Sequence, residues 1–185
     1  MLLGYADPPY PGQAHLYKEH KDYAGEVDHI ELIERLINQY DGFVLHTSSP
    51  ALYQILQIIE SMGAAEHVRI CAWCKSFAAF KANVPVAYTW EPVIIKALRK
   101  PTVTHSEIMR DHIVEPITMK KGLTGAKPPR VVRWAIELAG MTKEDYLHDM
   151  YPGTGIVQET WEHWSGKGNT NQDQLNLWPE NKVDA

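Results

Sequence analysis

Short apolar runs alternate with amphipathic segments along most of this chain. Leu2–Ala6 and Phe43–Thr47 are runs of the kind that form buried strands, because they are apolar without a helical period. Between them, apolar residues recur every three or four positions, which predicts a helix that begins after an N-cap at Asp28. The predicted buried face of this helix consists of Ile30, Ile33, Leu36 and Ile37. The opening segment therefore predicts a strand–helix–strand unit.

The same alternation continues to about residue 164. Further helices are predicted after Ser49-Pro50, after Pro128-Pro129 and from Ile156 onward, where proline or glycine marks each start. The other predicted strands are residues 68–73, 92–98 and 146–149. Strands that alternate with helices predict an α/β fold, in which a mostly parallel central sheet is covered by helices on both faces. Residues 101–127 show no period and are expected to be irregular.

The composition is that of an ordinary globular protein, with 44% hydrophobic and 22% charged residues. The length predicts one domain, over residues 1–164, followed by a polar tail over residues 165–185. No apolar run approaches the ~20 residues that span a bilayer, and two cysteines do not make a disulfide framework. We therefore expect a cytoplasmic protein with no membrane partner and, because its first motif begins at residue 7, no cleaved leader.

Basic residues are concentrated in one segment, although the net charge of the chain is −5. Residues 96–133 hold nine of the 18 Lys and Arg residues and three of the 23 Asp and Glu residues. This segment therefore carries +6 and the remainder −11. Such asymmetry is typical of a surface that faces phosphates, although a solvated loop has the same composition. The candidate nucleic-acid-binding residues are Lys96, Arg99, Lys100, Arg110, Lys120, Lys121 and Arg130.

The first chemical motif, Asp7-Pro8-Pro9-Tyr10, directly follows the first predicted strand. The prolines stiffen the turn and have no N–H, so neighbouring carbonyl oxygens stay available as acceptors. A carboxylate and a carbonyl can accept hydrogen bonds from an amine, while the tyrosine ring stacks on the flat group that carries it. A motif this short also occurs as an ordinary turn after a buried strand.

The second motif is the segment Asp149–Gly155, which ends one predicted strand and opens a helix. Its glycines allow a ligand to approach the backbone closely, and the start of the helix offers free N–H groups. This is the geometry of a nucleotide-type cofactor site at the carboxyl end of a strand. The segment lacks both the dinucleotide G-x-G-x-x-G spacing and the Gly-Lys-Ser/Thr of a P-loop, which disfavours those two classes.

Together the motifs resemble those of the amino-methyltransferases that methylate exocyclic amines of nucleic-acid bases with S-adenosylmethionine (SAM). In that family D-P-P-Y is the catalytic motif and D-x-F-x-G-x-G is the cofactor motif, whose phenylalanine is Tyr151 here. The catalytic motif comes first, as in the permuted group typified by many bacterial and phage DNA methylases. The resemblance also includes Trp73-Cys74-Lys75, Glu91–Ile95 and Lys127-Pro128, and it runs from residue 2 to about residue 164.

The resemblance implies a Rossmann-like α/β fold with a circularly permuted motif order, SAM as cofactor and DNA as substrate. It implies that the catalytic residues are Asp7, Pro8, Pro9 and Tyr10. The cofactor-binding residues that it implies are Asp149, Tyr151, Gly153, Thr154, Gly155, Lys127 and Pro128. In the family the Asp-first catalytic motif goes mostly with adenine N6 and the Ser-first motif with cytosine N4, which favours adenine here.

Several alternatives stay open. RNA adenine and cytosine N4 are rival substrates, and a non-catalytic methyltransferase-like subunit that binds nucleic acid or a partner is a rival function. The last alternative rests on the cofactor end, since no clear strand ending in an acid follows Gly155 and Glu180 is a poor candidate for that role. A homodimer or a partner subunit fits the sequence equally well. No metal is expected, because Cys71 and Cys74 lie in a β-rich run and the histidines show no ligand spacing.

Overall fold

The computed structural model describes residues 1–18, 25–76, 85–101, 108–118 and 126–167. The strands are β1 (Leu2–Ala6), β2 (Gly42–His46), β3 (Arg69–Cys74), β4 (Trp90–Lys96), β5 (His112–Val114) and β6 (Tyr146–Asp149). The helices are α1 (His29–Gln39), α2 (Leu52–Ser61), α3 (Pro129–Leu138) and α4 (Ile156–Ser165), with short 3₁₀ turns at Ala14–Tyr17 and Ala65–His67. Over these ranges, no helix has the length and apolar character needed to cross a membrane.

The six strands form one sheet in the order β5-β3-β4-β2-β1-β6. β1 pairs in parallel with β2 and β6, and β3 pairs in parallel with β5. β4 lies between β2 and β3 and is antiparallel to both. Five of the six strands therefore share one direction. The predicted α/β class and mostly parallel sheet are confirmed, and the reversed direction of β4 is a feature that the sequence patterns did not indicate.

Helices cover both faces of the sheet, because the apolar residues of each strand alternate between its two sides. On one face, α3 and α4 pack against the strands in a cluster that includes Leu3, Val44, Val131, Trp134 and Trp161. On the other face, α1 and α2 contribute a cluster that includes Ile33, Leu36, Phe43, Ile55 and Ile59. The sheet thus has a separate apolar core on each side, and both cores support the strand ends.

The N-terminus of α1 is capped as the sequence predicts. The Asp28 side chain accepts hydrogen bonds from the backbone N–H groups of Ile30 and Glu31. The predicted buried face is wrong at one position, since Ile30 is 59% exposed while Leu32 is buried. The helix is therefore rotated so that His29 and Leu32, and not Ile30, turn inward.

The expectation of an irregular segment over residues 101–127 is wrong at β5, which pairs with the outer side of β3. This strand has three residues and lies at the sheet edge with Val114 59% exposed, so it shows neither a long apolar run nor a buried face that periodicity could detect. Residues 102–107 and 119–125 of the same segment lie outside the described residues.

Both sequence motifs lie at the same end of the strands, where β1 and β6 finish. Asp7 directly follows β1, Asp149 ends the neighbouring strand β6, and the two strands pair in parallel with Tyr5 opposite Asp149. Because β4 is reversed, its first residues, Trp90 and Glu91, reach this same end. We call this end of the sheet, where β1 and β6 finish and β4 begins, the catalytic rim, after the role that the resemblance implies for Asp7. Side chains from the parallel strands β1 and β6 and from the reversed strand β4 therefore meet there.

At the opposite ends of these strands, the side chain of Asp145, which is 3% exposed, connects several segments of the chain. The Nη1 and Nη2 groups of Arg99 donate to its carboxylate, as do the Thr142 backbone N–H and the Met1 ammonium. Hydrogen bonds from Arg99, followed by those from Thr142 and the amino terminus, outweigh burial and hold the pKa of Asp145 well below its usual range. The carboxylate thus joins the turn before β6 to β1 and to the end of β4.

We expect Asp145→Asn to lower the free energy of unfolding by about 1–2 kcal/mol, because buried charge-assisted hydrogen bonds are lost. A depressed carboxyl pKa stabilises the folded state above the unfolded pKa, so the difference from the wild type should begin to shrink as the pH falls below about 4 and is lost only as the pH falls through the lowered folded-state pKa. Urea denaturation at pH 7 and pH 3 measures both effects. Glu34→Gln, at an exposed position on α1, should leave the midpoint unchanged, and an equal loss in both variants would contradict this role.

Candidate active site

The turn after β1 presents Asp7 at the catalytic rim. Pro8 is buried, while Pro9 and Tyr10 are half-buried, so the turn is anchored in the protein and not freely exposed. The Tyr10 carbonyl accepts a hydrogen bond from the Gln13 N–H at 2.8 Å, which continues the turn into the next segment. The Asp7 carboxylate is 22% exposed, and its Oδ1 lies 2.9 Å from the ammonium nitrogen of Lys127. The motif therefore combines a fixed backbone with an accessible carboxylate.

Lys127 directly precedes the α3 N-cap, Pro128, and its side chain is 5% exposed. Its Nζ lies 2.9 Å from Asp7 Oδ1 and 3.0 Å from Glu91 Oε1, and it donates to the Tyr10 hydroxyl at 3.2 Å. An ammonium group has three N–H donors, so these three acceptors account for all of them. Lys127 thus joins the two ends of the Asp7–Tyr10 turn to the body of the sheet.

Glu91, on β4, is the centre of a buried polar cluster. Its Oε1 accepts from His46 Nδ1 at 3.0 Å as well as from Lys127, and its Oε2 accepts from Lys75 Nζ at 3.2 Å. A carboxylate only accepts hydrogen bonds, so the His46 Nδ1 carries the proton. The Tyr5 hydroxyl lies 2.8 Å from the other nitrogen of this ring. The cluster therefore runs from the core of β1, through β2 and β4, to the Asp7–Tyr10 turn. We call this the catalytic turn, after the role that the resemblance implies for it.

The charges within this cluster balance. Two carboxylates, Asp7 and Glu91, face two ammonium groups, Lys75 and Lys127. Burial alone would raise the pKa of Glu91, but Lys127, the hydrogen bond from His46 and Lys75 together hold it well below the usual range. Burial alone would lower the pKa of Lys127, but the two carboxylates raise it above the usual range. Glu91 and Lys127 are therefore both ionised at neutral pH.

Asp7, His46 and Glu91 are near enough to one another to serve as ligands of a metal ion, with potential ligand atoms within 4.8 Å. The Lys127 ammonium, however, lies about 3 Å from both carboxylates and already neutralises them. A divalent cation at this position would meet the charge of the ammonium. The residues of this cluster therefore fit an internal ion-pair network better than a metal centre.

Asp149 provides the second carboxylate of the catalytic rim. Its Oδ1 accepts from the Tyr151 N–H at 3.2 Å, while its buried Oδ2 has no hydrogen-bond partner among the described residues. Burial, with a smaller contribution from the negative charge of Asp7, raises the pKa of Asp149 to about 6 against the lowering effect of the Tyr151 hydrogen bond. An unpaired buried carboxylate oxygen is costly, so this position favours a donor or a cation supplied by a ligand.

The backbone after Asp149 forms an open turn that leads into α4. Gly153 and Gly155 have φ values of 38° and 75°, a region that side chains disfavour, and no atom within 4 Å blocks the position of a Cβ at Gly155. Gly155 is the N-cap of α4, and Thr154 is exposed beside it. A ligand can therefore approach this backbone and the N-terminus of the ten-residue helix closely.

The candidate nucleic-acid-binding residues are not collected on one surface. Arg130 lies near the catalytic rim at the start of α3, where it pairs with Glu115 at 2.9 Å. Three of the others, Lys96, Arg99 and Lys100, are at or just beyond the end of β4, and Arg110 precedes β5. All four therefore lie toward the strand ends opposite the catalytic rim. The Arg99 guanidinium is engaged by Asp145 there. Lys120 and Lys121 lie outside the described residues, as do Glu180 and all of the tail after residue 167.

Three residues of this site, Glu91, His46 and Lys75, had no functional assignment from the sequence. Glu91 and His46 carry a recognisable signal, because each is a polar residue at the end of a strand that is otherwise apolar. Both are buried, Glu91 at 5% and His46 at 0% exposure, and buried charges are normally paired. Lys75 follows β3 directly and carries no comparable signal, since a lysine at a strand end is ordinary.

Neither a family model nor a curated protein sequence matches this chain. Solved structures do match it. A crystal structure of an M1.HpyAVI–SAM complex superposes with a TM-score of 0.57 and 11% identity, covering 89% of this chain and 77% of that one. The PvuII DNA methyltransferase, described as cytosine-N4-specific, gives 0.58 and 11%, covering 88% and 71%. A second structure of M1.HpyAVI gives 0.50 and 15%, covering 89% and 76%.

At these identities the likeness is one of fold. The chain has the α/β fold seen in the PvuII DNA methyltransferase, with a six-stranded mixed sheet and helices on both faces. The fold class that the sequence motifs imply is therefore confirmed. The permuted motif order and the roles of individual residues remain predictions.

Proposed function

We propose that this protein transfers a methyl group from SAM to the N6 amine of adenine in DNA, acting on a base that is flipped out of the helix. One observation carries the proposal. Asp7, able to accept hydrogen bonds from an amine, and Asp149, whose buried Oδ2 has no partner among the described residues, lie at the ends of adjacent parallel strands. The methyl donor and the amine-bearing substrate would thus lie side by side at the catalytic rim.

The residues at the end of β6 fit SAM. Its α-ammonium group would supply the donor that Asp149 Oδ2 lacks, and the glycine turn leaves room for the cofactor along Tyr151, Gly153, Thr154 and Gly155. When bound, SAM supplies an electrophilic methyl group on a sulfonium. Because Asp7, Glu91 and Tyr10 account for all three Lys127 donors, we assign Lys127 to the catalytic turn and not to direct cofactor contact. Pro128 caps α3 beside it.

The catalytic turn can activate an amine without a covalent intermediate. The lone pair of an aromatic amine is delocalised into its ring, which makes the nitrogen a poor nucleophile. Hydrogen bonds accepted by Asp7 and by the Pro8 carbonyl favour a tetrahedral nitrogen with a localised lone pair. Stacking on Tyr10 holds the flipped base in line with the methyl group and offsets part of the few kcal/mol that extrusion costs. The new N–C bond would form as the sulfonium S–C bond breaks, a neutral thioether would leave, and the methylated amine would then lose its extra proton to water. The protein thus contributes position and electrostatics.

A base must reach this turn from a nucleic acid that contacts the catalytic rim. Of the described basic residues that the sequence favoured, we assign only Arg130 to this contact, since its side chain is 53% exposed near the start of α3. The others lie toward the opposite strand ends, so a short contact with little sequence specificity is the expected mode of DNA binding. Specificity supplied by a second subunit would be consistent with this arrangement.

Cytosine N4 is the second candidate substrate, because the PvuII enzyme, described as cytosine-N4-specific, shares this fold with a TM-score of 0.58. The aspartate at position 7 favours adenine, since the Asp-first motif goes mostly with adenine in the family that the chain resembles. Methyl-labelled SAM should be incubated with the protein and with DNA, and in parallel with RNA. Digestion to nucleosides then separates N6-methyladenine from N4-methylcytosine. Absence of SAM binding by calorimetry would favour a non-catalytic subunit.

We expect Asp149→Asn to abolish detectable SAM binding while stabilising the protein without cofactor. The asparagine keeps the acceptor for the Tyr151 N–H, but it places an amide instead of a negative charge opposite the ammonium group. A carboxyl pKa raised to about 6 lowers stability as the pH rises from about 4 through 6. The variant should therefore be about 1–2 kcal/mol more stable at pH 7.5 and equal to the wild type at pH 4, an effect kept modest by partial exposure.

Calorimetric titration with SAM and urea denaturation at both pH values measure the two effects. Glu34→Gln, at an exposed position in the middle of α1, is the control that should change neither quantity. Wild-type SAM affinity in Asp149→Asn would exclude this carboxylate from the cofactor site.

A further inference from the structure

We infer that Glu91 is a positioning residue for the catalytic carboxylate, because it anchors the Lys127 ammonium that in turn fixes Asp7. The inference rests on the proposed function for its catalytic meaning, but the anchoring is a property of the protein alone. It gives a role to Glu91, His46 and Lys75, which lie beside the catalytic turn without belonging to it.

The geometry sets a direction of support from the core to the rim. Glu91 is held by donors on two sides, from His46 on β2 and from Lys75 after β3, at 3.0 and 3.2 Å. It therefore cannot swing without breaking both hydrogen bonds. The same Oε1 also faces the ammonium group of Lys127, whose backbone directly precedes the N-cap of α3. The fixed partner in this pair is Glu91.

Lys127 needs such an anchor. A lysine side chain is flexible because it rotates about four carbon–carbon bonds, and its compact ammonium group can change partners. Without Glu91, the donor directed at Oε1 would be free to move onto Asp7, whose carboxylate would then be covered by the ammonium. Asp7 must keep acceptor capacity for the target amine. We attribute to Glu91 the division of the Lys127 charge between two carboxylates, which holds Asp7 in place without saturating it.

Every charged group around Glu91 in the described part of the chain belongs to this network. Lys75 and His46 face it from β3 and β2, Lys127 from the start of α3, and Asp7 lies beyond Lys127. Tyr5 contacts His46 from β1, and burial, followed by the charges of Asp7 and Glu91, raises its pKa well above the usual value. Removing the charge of Glu91 therefore leaves an excess of positive charge with one remaining carboxylate, Asp7, to receive it.

The kinetic test uses Glu91→Gln in the full chain, with methyl-labelled SAM and adenine-containing DNA. We expect kcat to fall about 10- to 100-fold while the KM for SAM stays within about twofold, because the cofactor site at the end of β6 is untouched. Lys75→Met, which removes one anchor of Glu91 at a half-buried position, should lower kcat about threefold to tenfold in the same way. Glu137→Gln is the matched control, since it removes a carboxylate that pairs with Arg133 on α3, outside the network.

Equal kcat in Glu91→Gln and in Glu137→Gln would overturn the positioning role. A parallel loss of kcat and SAM affinity in Glu91→Gln would also overturn it, since that pattern indicates general damage to the fold. Thermal unfolding of each variant reports that damage directly, and Lys75→Met keeps the test open if Glu91→Gln fails to fold.

A second readout does not depend on catalysis. In protein labelled with ¹⁵N-lysine, the Lys127 ammonium should give a signal protected from solvent exchange, identified by its loss in Lys127→Met. We expect Glu91→Gln to lose this protection and Glu137→Gln to retain it. No protected signal in the wild type would overturn the anchoring. A protected signal that Glu91→Gln loses, in a protein that transfers no methyl group, would support the anchoring and overturn the proposed function alone.

Discussion

Replacing Asp7 with alanine is expected to lower methyl transfer to adenine about a thousandfold while SAM binding persists. The loss has the size seen when one preorganised electrostatic partner of a transition state is removed, roughly 10²- to 10³-fold or more. Asp7 would accept a hydrogen bond from the amine as its lone pair localises, and no other described carboxylate lies in the catalytic turn. The measurement is initial rate with methyl-labelled SAM and DNA, alongside calorimetric titration with SAM.

The binding measurement gives this variant a specific signature. The negative charge of Asp7 contributes to the raised pKa of Asp149, so its removal should lower that pKa from about 6 toward its usual value. SAM binding near pH 6 should then be equal to or tighter than that of the wild type. Asp41→Ala, which removes an exposed carboxylate on the far side of β1, should leave both quantities unchanged. An Asp7→Ala protein that keeps a tenth of the wild-type rate would exclude Asp7 from catalysis.

Replacing Lys127 with methionine is expected to cost about 3–5 kcal/mol of unfolding free energy, the usual result of removing one partner from a buried ion pair. Methionine fills a similar volume but leaves Asp7 and Glu91 facing each other without the cation between them. For a domain whose total stability is roughly 5–15 kcal/mol, this loss should be evident as a large fall in the urea midpoint. A loss below about 1 kcal/mol would show that the network contributes little to stability.

Two comparisons separate charge balance from packing. The double variant Lys127→Met with Glu91→Gln restores neutrality among the remaining charges, Asp7 and Lys75, so it should recover part of the lost stability. A folded-state pKa of Glu91 below its ordinary 4.5 stabilises the protein above that pH and ceases to do so as the pH falls through the lowered value. The difference between wild type and Lys127→Met should therefore be full at pH 7 and shrink below about pH 4.5.

Local patterns in the sequence predict most of the elements of this fold. The apolar period of α1 with its Asp28 cap, and the short apolar run of β2, are signals contained within about a dozen residues. The strand at residues 112–114 is not predictable in this way, because its residues are largely exposed and only the edge of β3 makes them a strand. The reversed direction of β4 is equally hidden, since an apolar strand reads the same in both directions.

The candidate site divides along the same line. Asp7–Tyr10 and Asp149–Gly155 are contiguous motifs, and each can be recognised from its own residues. The ion pair of Lys127 with Asp7 joins residues 120 positions apart along the chain, so the motif beside Pro128 could not indicate it, and the cofactor contact that this motif implies stays a prediction. The buried positions of Glu91 and His46 likewise follow from the sheet, in which β4 lies against β2, and not from any local spacing.

The pairing of β1 with β6 has a consequence for the protein while it is being made. These strands are adjacent in the sheet, yet Tyr5 and Asp149 are separated by most of the chain. Asp7, Glu91 and Lys127 all precede β6 along the chain, so they leave the ribosome before this strand does, and contacts as distant in sequence as that of β1 with β6 form slowly. The proposed amine-binding turn therefore leaves the ribosome before the strand that carries the proposed cofactor site. Under the proposed function, the protein becomes competent for reaction only after β6 has joined the sheet.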